Sequence, residues 1–192
     1  MDGRINLMKI NRSYVFFLAL MTAFAASLYF VEVFIPRPML FMKIGLSNIV
    51  VLLLVFCRFY REAMIVALSK SIIGAFFTGT LFSPMFVLSI GGTVFSCVFM
   101  IVFSRLLSLK KEGLSIIGLS IIGAFVHLVT QLILVRLLII HSDSIFTLYP
   151  VIAVTSVVTG FLTGFIGNYV LKYIDLRSYY DKITELPMLA KG

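Results

Sequence analysis

Long apolar runs separated by brief polar interruptions organise this chain. A helix rises about 1.5 Å per residue, so about 20 apolar residues cross about 30 Å of hydrocarbon. Six runs qualify as candidate spans: 14–35, 44–57, 63–82, 84–107, 115–140 and 149–174. The first stops at Pro36-Arg37-Pro38, where two prolines cannot continue a helix. The fourth opens on Pro84, whose fixed φ suits a helix start. The pattern predicts an all-α fold: a single polytopic membrane domain over 1–192, a six-transmembrane-helix bundle with short tails. Ala23-Phe24-Ala25 superficially resembles a cleavage site, but apolar sequence continues to Ile35, so the first run is read as an uncleaved span.

Composition strengthens this reading. Hydrophobic residues make up 61% of the chain, charged residues 12%, and the mean hydropathy is +1.12. Soluble domains have about 25% charged residues, enough to cover a surface in contact with water. Here the lipid bilayer is the expected partner of the apolar faces. A net charge of +8 raises the question of nucleic acid, but the basic residues sit singly between apolar runs and form no stripe, so that partner is excluded. They act as topology signals instead. With the N-terminus inside, 12 of the 16 basic residues fall in cytoplasmic loops and tails, only Arg37 and Lys43 lie outside, and Lys70 and Arg136 fall within spans. This asymmetry predicts that both termini are cytoplasmic. Cys57 and Cys97 lie in apolar runs without zinc or redox spacing and are read as packing residues.

The informative residues are polar ones at membrane depth, each of which needs a partner, a cavity or a route to the interface. Lys70 either snorkels along its stem or holds an anionic ligand group or a buried acid. His127 and Gln131, four residues apart, share one helical face and offer donors and acceptors. Interhelical hydrogen bonding explains them, and so does a ligand cavity, the reading favoured here. No other His, Cys or acid has ligand spacing with His127, so no metal is expected. Arg136 is expected to snorkel or to pair with Glu32. The second run has an apolar stretch of only about 21 Å, so either the bilayer thins around it or its outer end lines a wet cavity. The second option turns Lys43 and Asn48 toward a ligand. Ser89, Thr93 and Ser96 share a face of the fourth run, as packing groups or as pocket hydroxyls. Ala19 and Ala23, Gly91, Gly92 and Ser96, and Gly160 and Gly164 mark close helix approaches. The pentapeptide Ser71-Ile72-Ile73-Gly74-Ala75 reappears as Ser120-Ile121-Ile122-Gly123-Ala124, a possible parallel repeat that chance in so restricted an alphabet also explains.

Several of these motifs together resemble a known family. The run Lys43-Ile44-Gly45-Leu46-Ser47-Asn48-Ile49-Val50 is followed by Gly79-Thr80-Leu81 and by Ser89-Ile90-Gly91-Gly92 with Ser96. Then come Gly118 to Ala124 with His127 and Gln131, and Tyr149-Pro150 with Thr159-Gly160 and Thr163-Gly164. The series resembles the Gx transporter family, also catalogued as heptaprenyl diphosphate synthase component I, over about 36–167. Lys70 stands where that family usually carries an arginine, keeping the charge without the planar fork. Leu128 and Thr130 stand where it usually carries an asparagine and a glycine. The architecture is also similar to the substrate-binding S components of energy-coupling factor importers. That similarity implies a prokaryotic plasma-membrane protein with an outward-facing pocket between the second to sixth spans. It also implies coupling through Ala19 and Ala23 to an energising transmembrane subunit with ATPases.

Two functions are expected on these grounds. The first is binding and import of a small vitamin-like solute, with Lys43, Asn48, Lys70, Ser89, His127 and Gln131 as substrate contacts and a flavin as one candidate. The second is a non-catalytic membrane role in polyprenyl diphosphate synthesis. Catalysis of prenyl elongation needs clustered aspartates to hold magnesium, whereas Asp2, Asp143, Asp175 and Asp181 are isolated. No GxxxxGK[ST] loop is present for ATP hydrolysis. The chain is therefore expected to be neither an enzyme nor a holder of a cofactor.

Overall fold

The computed structural model describes residues 12–35, 45–108 and 115–180. Helices lie at all six expected positions: α1 (Arg12–Val33), α2 (Asn48–Phe56), α3 (Tyr60–Phe77), α4 (Pro84–Ser108), α5 (Ile116–Val135) and α6 (Tyr149–Tyr173). No strand occurs among the described residues. A π-helical segment, Arg136–Ile140, prolongs α5, and a 3-10 segment, Asp143–Leu148, leads into α6. The expected helix stop at Pro36-Arg37-Pro38 lies outside the described residues.

Four helical stretches are long and apolar enough to cross a membrane: Tyr14–Val33, Pro84–Leu107, Ile116–Ile140 and Asp143–Tyr173. Large apolar side chains stand exposed on these outer faces, among them Phe16, Phe24, Phe95, Val154, Phe161 and Phe165. Water tolerates no surface of that kind over several helices, whereas hydrocarbon covers it without cost. The chain is a helical membrane protein.

The inside is built around α2. Its nine residues span only about 13 Å. Ile49 to Val55 are all buried, because α1, α3, α4, α5 and α6 surround it. A helix that is apolar on every side belongs in a core. The helix is shorter than the expected 44–57 run because Gly45 takes a left-handed φ of +87° and a turn over 45–48 precedes the first helical residue. Its start therefore lies inside the bundle.

Glycines set the tightest approaches. A β-carbon on Gly160 would stand 2.6 Å from Ile121 Cα, and one on Gly164 would stand 2.8 Å from Ile117 Cα, so α5 and α6 meet backbone to backbone. In the repeated pentapeptides, Gly74 lies against the Tyr29 ring of α1 and Gly123 against Met100 of α4.

At one end of the bundle Phe17, Phe59 and Tyr180 form an aromatic cluster with centroids 5.1 to 6.0 Å apart, which holds the turn over 176–180 beneath α1 and the α2–α3 connection. Arg105 lies over the Tyr60 ring at 4.8 Å, joining the start of α3 to the end of α4. Arg58, Arg61, Arg105, Lys172 and Arg177 are all exposed at this end. At the other end Arg136 pairs with Asp143 at 2.6 Å. This corrects the expected pairing with Glu32. The π-helical segment and left-handed His141 reverse the chain, which brings Asp143 back beside Arg136, while Glu32 turns inward.

Candidate functional site

The polar residues of five helices converge on the buried start of α2. Glu32, in the last turn of α1, is 2% exposed, and so is Lys70 of α3. Gly45 N–H donates to Glu32 Oε1, and Ser47 Oγ donates to Glu32 Oε2 at 3.5 Å. Lys70 Nζ donates to the same Ser47 Oγ at 3.1 Å and to Asn48 Oδ1. A relay thus runs from ammonium to hydroxyl to carboxylate across α3, α2 and α1. Both carboxyl oxygens accept, one from α2's backbone lead-in and one from its Ser47 hydroxyl. Burying either charge alone costs several kcal/mol, so the relay offsets two penalties at once.

This geometry decides between the two readings of Lys70: it does not snorkel but reaches into the bundle. It also shows what sequence reasoning missed. Glu32 is central to the cluster, and its signal was present, since it is an acid within a long apolar run.

Two adjoining hollows flank the relay, sharing Gly45, Asn48 and His127. The larger, of about 30 Å³, is bordered by Ser96, Ser120, Thr159 and Thr163 beside apolar Leu52 and Met100. The smaller, of about 10 Å³, reaches Tyr29, Glu32, Lys70, Ser71, Ser89 and Thr93. Each has room for about one or two waters, whereas a vitamin-sized ligand needs a pocket of about 300 Å³ or more. The polar centre is packed, and the ligand-sized cavity favoured from the sequence is not found there among the described residues.

Asn48, Lys70, Ser89 and His127 therefore meet at one place, around the smaller hollow. The cluster draws on α1 as well as on α2 to α6, which widens the expected boundary. Gln131 lies one turn beyond His127 and is 1% exposed, but it borders neither hollow. Its Oε1 finds no hydrogen-bond donor among the described residues. Lys43 lies outside the described residues. Ala19 and Ala23 are exposed on the face of α1 that points away from the bundle, remote from the polar centre. Ser96 donates to Gly123 O at 2.8 Å, and Ser120 and Thr163 hydroxyls lie 2.7 Å apart, so these groups serve packing and border a hollow together.

A separate apolar groove of about 350 Å³ opens beside the α3–α4 connection, between Leu81, Phe82, Pro84, Val87 and Leu138. No three His, Cys, Asp or Glu side chains among the described residues converge as metal ligands.

A family model described as heptaprenyl diphosphate synthase component I matches residues 21–170, and the chain belongs to that family. No curated protein and no solved structure matches it.

Proposed function

We propose that this member of the heptaprenyl diphosphate synthase component I family is a non-catalytic membrane protein that binds and imports a small solute carrying an oxyanion group. The observation that carries this reading is the buried Lys70 ammonium at the N-terminal end of a half-length helix enclosed by the bundle. A helix N-terminus carries about half a positive charge, and unwound or broken helices at membrane depth present such ends to anionic solutes in transporters. Hydroxyls of Ser89, Thr93, Ser96 and Thr159 supply neutral hydrogen-bonding groups around it.

In this reading α2 and α3 complete a six-span bundle with its basic end in the cytoplasm. The polar centre then lies toward the outer half, and uptake is energised by a partner that contacts the exposed Ala19 and Ala23 face. A flavin nucleotide fits the required chemistry, with an anionic phosphate and a ring rich in hydrogen-bonding groups.

The second reading is an accessory role in polyprenyl diphosphate synthesis, favoured by the family description and by the apolar groove near Phe82. A prenyl diphosphate shares the oxyanion but replaces the polar ring by a hydrocarbon chain.

Binding assays on the full chain in lipid nanodiscs separate the two. The transport reading expects riboflavin 5′-phosphate to bind, riboflavin to bind at least tenfold more weakly, and Lys70→Met to abolish the difference. Saturable binding of farnesyl diphosphate but of neither flavin would replace it with the prenyl reading.

A further inference from the structure

Resting on the oxyanion-binding reading, we propose that Glu32 is a built-in occupant of the anion subsite, and that ligand binds by displacing it and so releases the end of α1 from the start of α2.

The groups that hold Glu32 are those an oxyanionic ligand would use. Gly45 N–H and Ser47 O–H donate to its two oxygens at the positive end of α2, and Lys70 reinforces Ser47 from the other side. An incoming carboxylate or phosphate has no other space at these donors, because the adjoining hollow there is about 10 Å³. The site is therefore complete and already filled by the chain's own carboxylate.

Exchange also balances charge. With Glu32 in place, Lys70 is offset by an internal anion; with ligand in place, it is offset by the ligand's oxyanion. Glu32 lies one residue before the end of α1, beside exposed Val33 and Phe34, so fraying of a single turn carries it toward the helix boundary and water. Neither state leaves a lone charge in the interior.

A competing internal anion lowers apparent affinity by the fraction of molecules in which the subsite is open. Release of α1 then accompanies loading, which gives a partner on the outward face of α1 a means to read occupancy.

The test uses the full chain in nanodiscs with riboflavin 5′-phosphate as probe. Glu32→Gln, close to isosteric, should bind the probe at least tenfold more tightly than the unsubstituted chain, while riboflavin affinity changes less than threefold. Independently of Glu32 substitutions, spin labels at Phe34 and Phe82, both exposed, should move apart by several ångströms on saturation with the probe and stay in place with riboflavin. If the probe binds but Glu32→Gln binds it no more tightly, or if the labels do not move, the displacement proposal is overturned and oxyanion binding stands. If neither riboflavin 5′-phosphate nor farnesyl diphosphate binds to either form, the oxyanion reading falls and the displacement proposal with it.

Discussion

The imidazole of His127 lies directly against Gly92: a β-carbon built on Gly92 would stand 3.0 Å from both Cε1 and Nδ1 of the ring. The absent side chain on α4 is what lets the histidine of α5 stand beside both hollows. Gly92→Ala should push the ring aside, with an overpacking cost of about 1–3 kcal/mol in thermal unfolding. Binding of riboflavin 5′-phosphate should fall in Gly92→Ala and in His127→Ala alike, and the double variant should lose no more than either single one. Additive losses would show that Gly92 acts apart from His127.

Lys70 and Glu32 should be coupled through Ser47. Lys70→Met strips the buried carboxylate of its cationic support, and we expect a loss of about 3 kcal/mol or more. Adding Glu32→Gln should recover most of that loss, because the interior is again neutral. A double variant as unstable as the sum of the singles would rule out the coupling. Thermal unfolding followed by circular dichroism in nanodiscs measures each case.

Two glycines should fail for different reasons. Gly160→Ala drives a methyl into the Ile121 backbone and should separate α5 from α6, costing about 3 kcal/mol. Gly79 ends α3 at φ +69°, where Thr80 N–H bonds Ala75 O at 2.9 Å, and no atom lies within 4 Å of its missing β-carbon. Gly79→Ala should therefore cost only the left-handed backbone penalty, about 1–2 kcal/mol. Equal losses at the two sites would refute the assignment.

The Arg136–Asp143 pair should contribute little. Its side chains are 38% and 77% exposed, and exposed pairs of this kind are worth about 0–1 kcal/mol. Asp143→Asn should lower stability by less than about 1 kcal/mol, with a smaller effect in high salt. A loss above about 2 kcal/mol would mean that the pair is shielded from water.

Hydropathy by itself determined that the chain is helical and where its long helices lie, because each apolar run must satisfy its backbone internally in lipid and a helix does so within one segment. It also singled out Lys70, His127 and Gln131 as polar groups standing within apolar runs. Only the tertiary structure decided who meets whom. Asn48 starts a half-length helix inside the bundle, because Gly45 turns the chain left-handed just before it and five other helices enclose Ile49 to Val55. Glu32 turns inward to the start of α2 and Arg136 turns to Asp143, pairings set by the azimuth of each helix and by the reversal at His141. Spacing along a chain fixes the face a residue shares with its own helix. It does not encode the rotation of one helix against another, and the centre of this protein is made of contacts between helices.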